Sequence, residues 1–429
     1  MDPADGADAL ETQASLPTLF VDSVFGCAEE QSAWEYYVRL VSSNVPALDG
    51  PDNPYRQLSI TALSSPVLLH TILCIATEHM LNFGFGSVSL AAKRQQRMLR
   101  TIGQKLLGVH AGDPNAGAIV DYHNHEHEAL LAAVVLQGIV VAQTPDGVLE
   151  PHVKCASFLL QTLGFFQNIP QNPLTRMAVQ RFAMVDLMLA ISRQRRPYAP
   201  GDFIIYQPDP TRWDTIEPSF HKMTGCPQPL MCFLVRISHL ACDVDERHEH
   251  GTATNDILTE ALRLDSELRA WGCQYTGNIP QDELRAPLDI LTECFYWTAH
   301  LLLARRVFRD ATCSLRVQHL AHTCFGLMDH LSTGCGPDSS LPQPFYLAAR
   351  EAITLQDRNW VRRKHASMTA YYREPQRNLA MELTERIWDT TDGLRGLGPD
   401  AVTANDESAL SMADGYIKAL DRESCLFIF

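Results

Sequence analysis

Apolar residues recur at three- and four-residue spacing along nearly the whole chain, the period of a helix that buries one face. Such stretches cover 31–44, 66–82, 88–108, 126–143, 150–163, 174–194, 227–247, 256–272, 286–309, 313–332, 344–365, 375–391 and 407–420. Between them lie turn-forming clusters such as LDGPDNP, HAGDPNAG, IPQNP, GCGPDSSLPQP and RGLGPD. Runs that alternate apolar and polar residues are scarce. The pattern predicts an all-α fold, a large multi-helical array of antiparallel helices with no significant sheet.

The 429 residues, 46% hydrophobic and 20% charged, supply a sizeable core without disulfide or metal staples. The expected organisation is an acidic, flexible leader over 1–30, a helical body over 31–395, and a C-terminal helix and tail over 396–429. Net charge is −15, which disfavours bare contact with a phosphate backbone. No Lys or Arg precedes Arg39, so no secretory signal is expected. The 12 cysteines stand singly, none in a Cys-x-x-Cys pair, as in a reduced intracellular protein.

The largely apolar stretch Leu63 to Met80 tests for a membrane span. Ser64-Ser65-Pro66 is a helix start, with a serine at the N-cap and proline at the first helical position. The apolar run from Val67 to Ala76 is shorter than the about 20 residues a bilayer needs. A buried helix is expected, with His70 a hydrogen-bonded core histidine, and no membrane contact.

Several clusters could carry chemistry. DYHNHEHEALL at 121–131 sets His123, His125 and His127 at two-residue spacing, a metal face only on a strand. A helix begins just after them, so a helix start with Glu126 and Glu128 on the positive dipole is expected, and no metal site. The DERHEH at 245–250 reads the same way. Asp186 lies within an apolar helical run and needs a partner. Arg193, two turns on along the same face, or His152 from another helix would serve. Tyr296, Trp297 and His300 form an aromatic stripe that packs a core or lines a cavity between helices. These six are the candidate ligand-binding residues; no catalytic residue and no cofactor is indicated. The basic clusters at Lys93, Arg94, Arg97 and Arg100, at Arg193, Arg195 and Arg196, and at Arg362, Arg363 and Lys364 read as solvated faces.

Taken in order, several segments resemble the regulatory domain of fungal-specific transcription factors, in the branch of arginine and GABA pathway regulators. They are WEYYVRLVSSNVPALDGPDNPYRQL from Trp34, ALSSPVLLHTILCIATEHM, and HEALLAAVVLQGIVVAQTPDGVLEPHVKCASFLLQTLG. VDLMLAISRQRRPY, LPQPFYLAAREAITLQDR and LAMELTERIWD complete the series, which spans Trp34 to Trp388. Leu149 and Gln343 stand where the family carries tryptophans, marking a divergent member. The family's DNA-reading module is a six-cysteine zinc cluster with a basic linker. Only Cys27 and no basic residue precede Trp34, so this chain is not expected to bind DNA directly.

The resemblance implies a regulator acting through ligand or protein contacts, self-association included, in fungal and possibly secondary metabolism. A hydrophobic small molecule is its expected ligand and the nucleus its expected compartment. The alternative is the same scaffold repurposed as a cytoplasmic, cofactor-free cyclase or pericyclase, with Asp186, His300 or a tyrosine supplying hydrogen bonds.

Overall fold

Proline at the first helical position opens helix after helix, where its missing N–H costs no hydrogen bond. Pro54, Pro66, Pro173, Pro287 and Pro342 all take this place. Asn53 and Asn172 add side-chain caps by accepting from the backbone N–H of Tyr55 and Leu174. Ser65 holds the N-cap position in extended backbone, without its hydroxyl bonding the first turn.

The structure, a computed structural model, describes residues 25–110, 125–145, 147–209, 213–251, 255–277 and 285–395. Helix α1 (Ala28–Tyr36) continues through a π-turn (Tyr37–Val41) into Ser42–Asn44. It is followed by α2 (Pro54–Ala62), α3 (Pro66–Asn82), α4 (Val88–His110), α5 (His125–Val135), α6 (Gln137–Gln143), α7 (Glu150–Thr162) and α8 (Pro173–Arg193). The second half holds α9 (Phe220–Thr224), α10 (Gln228–His250), α11 (Asn255–Gly277) and α12 (Pro287–Leu302), with a π-turn at Leu303–Val307. Helices α13 (Leu315–Asp329), α14 (Pro342–Ala349), α15 (Leu355–Tyr372) and α16 (Pro375–Arg395) complete it. No strand occurs among the described residues, and the fold is all-α.

Sequence neighbours pack as antiparallel pairs, α3 on α4, α10 on α11 and α12 on α13. One continuous core runs from Phe25 to Trp388. Its axis is α8, buried at every position from Thr175 to Ser192. Apolar residues cover all its faces, the pattern of a helix surrounded by others. The segment His125–Gln143 is long and apolar enough to cross a membrane, but 78% of its apolar 18-residue window is buried inside the protein. It is interrupted at Leu136, between α5 and α6.

Some boundaries differ from those the periodicity suggests. Phe25 is already buried and α1 starts at Ala28, ahead of residue 31. The run over 344–365 is two helices, because Thr354 starts α15 by accepting from the Asp357 N–H. Helix α2 was hidden in a turn-rich region, although Asn53-Pro54 is a cap followed by an N1 proline. The rest of the expected leader, the tail over 396–429 and its helix over 407–420 lie outside the described residues.

Candidate functional site

Four polar side chains on α8 each tie another segment to it. The Arg176 guanidinium lies 4.6 Å from the Trp213 ring centre. Gln180 Nε2 donates to the Pro218 carbonyl at 2.8 Å, and Arg181 Nη1 to the Tyr55 hydroxyl at 3.3 Å. Asp186 accepts from the backbone N–H groups of Tyr198 at 3.0 Å and Ala199 at 2.8 Å.

Asp186 thus clamps the loop after its own helix. Gln194 ends α8 in the left-handed region, at φ 51°, and folds the chain back. That reversal brings Arg195 Nη2 to 3.8 Å from Asp186, the place expected for Arg193. Arg193 itself, at the last turn of the helix, is half-buried. Arg195 also stacks at 3.7 Å on the Tyr198 ring, and the Tyr198 hydroxyl donates to Glu150 on α7. Burial pushes the Asp186 carboxyl upward, against the pull of the two N–H donors and of Arg195.

His152, on the same helix as Glu150, faces Val134, Phe182 and Val185 instead of Asp186. The space beside it is about 10 Å³, room for one water at most. Burial holds its imidazole below the ordinary range.

Tyr296, Trp297 and His300 pack α12 against α11. The Tyr296 ring centre lies 4.8 Å from that of His300 and 6.0 Å from that of Trp271. Trp297 meets Tyr296 edge-on at 5.2 Å. His300 is pushed by burial down to about 4 and is neutral at pH 7. Its Nδ1 therefore donates to Asp265 Oδ1 at 3.1 Å, while Arg269 Nε holds Asp265 Oδ2 at 2.9 Å. The three are a packed seam.

A cavity of about 360 Å³ involves none of these six candidates. The π-turn after α1 supplies Leu40 and Val41, and α3 ends on it with His79 and Phe83. Ile139, Ala142 and Gln143 come from α6, and Arg181 from α8. The turn at Pro337–Ser340 and the α15–α16 junction close it with Ser339, Tyr371, Tyr372 and Glu374. Arg373, at φ 54°, stops α15 there and stacks 4.9 Å from Phe83.

The polar groups of this wall are already oriented. His79 Nδ1 pairs with the Tyr36 hydroxyl at 2.9 Å, and burial pushes its imidazole down to about 4. The Tyr372 hydroxyl donates to Asp338 Oδ1 at 2.7 Å. Asn82 Nδ2 fixes the Gln143 side chain at 2.8 Å. A mostly apolar space of this size with a few placed donors suits a small molecule. Its wall comes from separated segments, so no periodicity or short motif in the sequence announces it.

Among the described residues no group of three or more His, Cys, Asp or Glu is placed to hold a metal. His125 opens α5 with Glu126 and Glu128 in its first turn, whereas Asp121 and His123 lie outside the described residues. Two of the basic clusters prove largely paired. Arg196 meets Asp243 at 2.6 Å, Arg362 meets Glu385 at 2.6 Å, and Lys364 Nζ donates to the Met328 carbonyl at 2.8 Å.

No curated protein and no solved structure matches the chain. A family model does, that of the fungal specific transcription factor domain, over residues 33–405, from the second half of α1 through α16. The chain belongs to the fungal specific transcription factor domain family.

Proposed function

We propose that this chain is the regulatory module of a fungal transcription regulator, and that a small, mainly apolar molecule controls it from the cavity beneath Tyr371 and Tyr372. The family match over nearly the whole helical body carries the regulatory reading. The cavity supports the ligand, because it joins the first helices to the last ones, where an occupant bridges both halves. Two of its titratable groups are engaged with neighbours, His79 with Tyr36 and Tyr372 with Asp338, which favours binding over cyclase or pericyclase chemistry. The module works in the nucleus on genes of fungal, including secondary, metabolism. Protein contacts or self-association relay its state, and a module outside the described helices contacts DNA.

The test fuses the full chain to a heterologous DNA-binding module in its fungal host and reads a reporter gene. The fusion changes reporter output, and Ala142→Phe, which fills the cavity, removes the response to growth conditions while the unfolding midpoint is kept. A fusion without effect on the reporter sinks the regulatory reading. A response equal in the Ala142→Phe variant sinks the ligand site.

A further inference from the structure

A second pocket lies between the first turn of α1 and the α3–α4 pair, apart from the large cavity. The sequence places Arg94 on a solvated face, yet α4 turns it inward to 7% exposure. Its Nη1 donates to the Thr77 hydroxyl at 2.5 Å, while Nη2 is buried without a hydrogen-bond partner. A buried guanidinium N–H left unpaired has given up its hydration for nothing, so this geometry opposes folding. Arg94 lines a space of about 140 Å³ with Cys27, Glu30, His70, Lys93 and Arg97.

The charges there do not balance. Lys93, Arg94 and Arg97 face one lining carboxylate, Glu30, which is engaged with Arg97 at 3.1 Å. Glu29, fully exposed, is the other anion in reach of Arg94. Such a cationic hollow stands out in a chain of net charge −15. Burial, and then the charge of Arg97, hold the His70 imidazole below its ordinary range, so it is neutral at pH 7 and offers one N–H. The space holds several waters' volume, too little for a drug-sized ligand and enough for a tetrahedral anion. Arginine and lysine donors are the side chains that bind such oxyanions most strongly.

We propose that this pocket binds a small oxyanion of the phosphate type, free or carried at the end of a metabolite, with the Arg94 guanidinium and Lys93 as its principal donors. The anion completes the hydrogen bonding of Arg94 and ties the start of α1 to α4. His70, near the centre of the apolar stretch Leu63 to Met80, is then a wall of this site.

The experiment titrates inorganic phosphate into the full chain at low ionic strength and follows binding by calorimetry and by phosphorus NMR line width. Saturable one-site binding is expected. Arg94→Met weakens it at least about tenfold, the loss of one charge-assisted bond. Lys93 is exposed, so Lys93→Gln keeps the fold and weakens binding severalfold. Glu30→Gln removes the competing carboxylate and tightens binding, a gain that misfolding does not produce. Absence of saturation across the millimolar range overturns the proposal. So does equal affinity in the wild type, Lys93→Gln and Glu30→Gln, the mark of an adventitious ion only. Phosphoserine and a sugar phosphate, tested next, separate a free ion from an esterified one.

Discussion

At the scale of single residues, Asp186 shows how a buried charge is tolerated. Fully buried, it gives up hydration, and the two backbone N–H groups of Tyr198 and Ala199 replace it. Asp186→Asn keeps the volume but turns one acceptor into a donor that faces an N–H. The expected cost is about 2–4 kcal/mol, read as a lower urea midpoint with unchanged slope. An unchanged midpoint would show that water, not the carboxylate, satisfies those donors. The need for a partner at Asp186 was legible, because an apolar helical run is an expensive place for a carboxylate. The identity of the partner was not. Spacing along a helix points to Arg193, but the left-handed turn at Gln194 delivers Arg195.

Elements are decided at their ends. Prolines at N1 and the caps at Asn53, Asn172, Ser219, Ser314 and Thr354 mark starts that local chemistry alone explains. Thr354 therefore explains why one periodic run became two helices. Stops depend more on neighbours. Gly225 ends α9 at φ 75°, and a Cβ there would collide with the Leu291 side chain of α12. Gly225→Ala combines a left-handed backbone penalty with a steric one, and should cost about 1–3 kcal/mol. Thermal unfolding checks this, and a midpoint equal to that of the wild type would contradict the close approach of α9 and α12.

For the whole molecule, pH tests how deeply the imidazoles are set. His79, His221 and His300 are each pushed by burial to about 4. In the unfolded chain they titrate near 6.5, so between pH 6.5 and 4 the unfolded state binds more protons. Stability is therefore lost as pH falls through that window, by about 1.4 kcal/mol per pH unit for each imidazole. Asp214, raised by burial to about 6, works in the opposite sense, as do Asp186 and Glu78, also raised by burial. The lowered imidazoles of His70, His152, His239 and His365 add to the loss toward acid. Urea midpoints measured across the window should fall toward acid. Midpoints that stay level or rise would mean that these imidazoles are accessible to protons in the folded protein.

The sequence by itself determined that the chain is helical, where most helices start, and that its ordered fragments follow the pattern of one family. Those properties rest on residues within a turn or two of each other, where the helical period, proline and capping side chains act directly. Tertiary structure alone decided that Arg94 is buried, that Tyr296, Trp297 and His300 are a packed seam, and that a cavity opens beside His79 and Arg181. Each of these depends on a partner tens or hundreds of residues away. A periodic pattern identifies the buried face of a helix but carries no information about which face meets it.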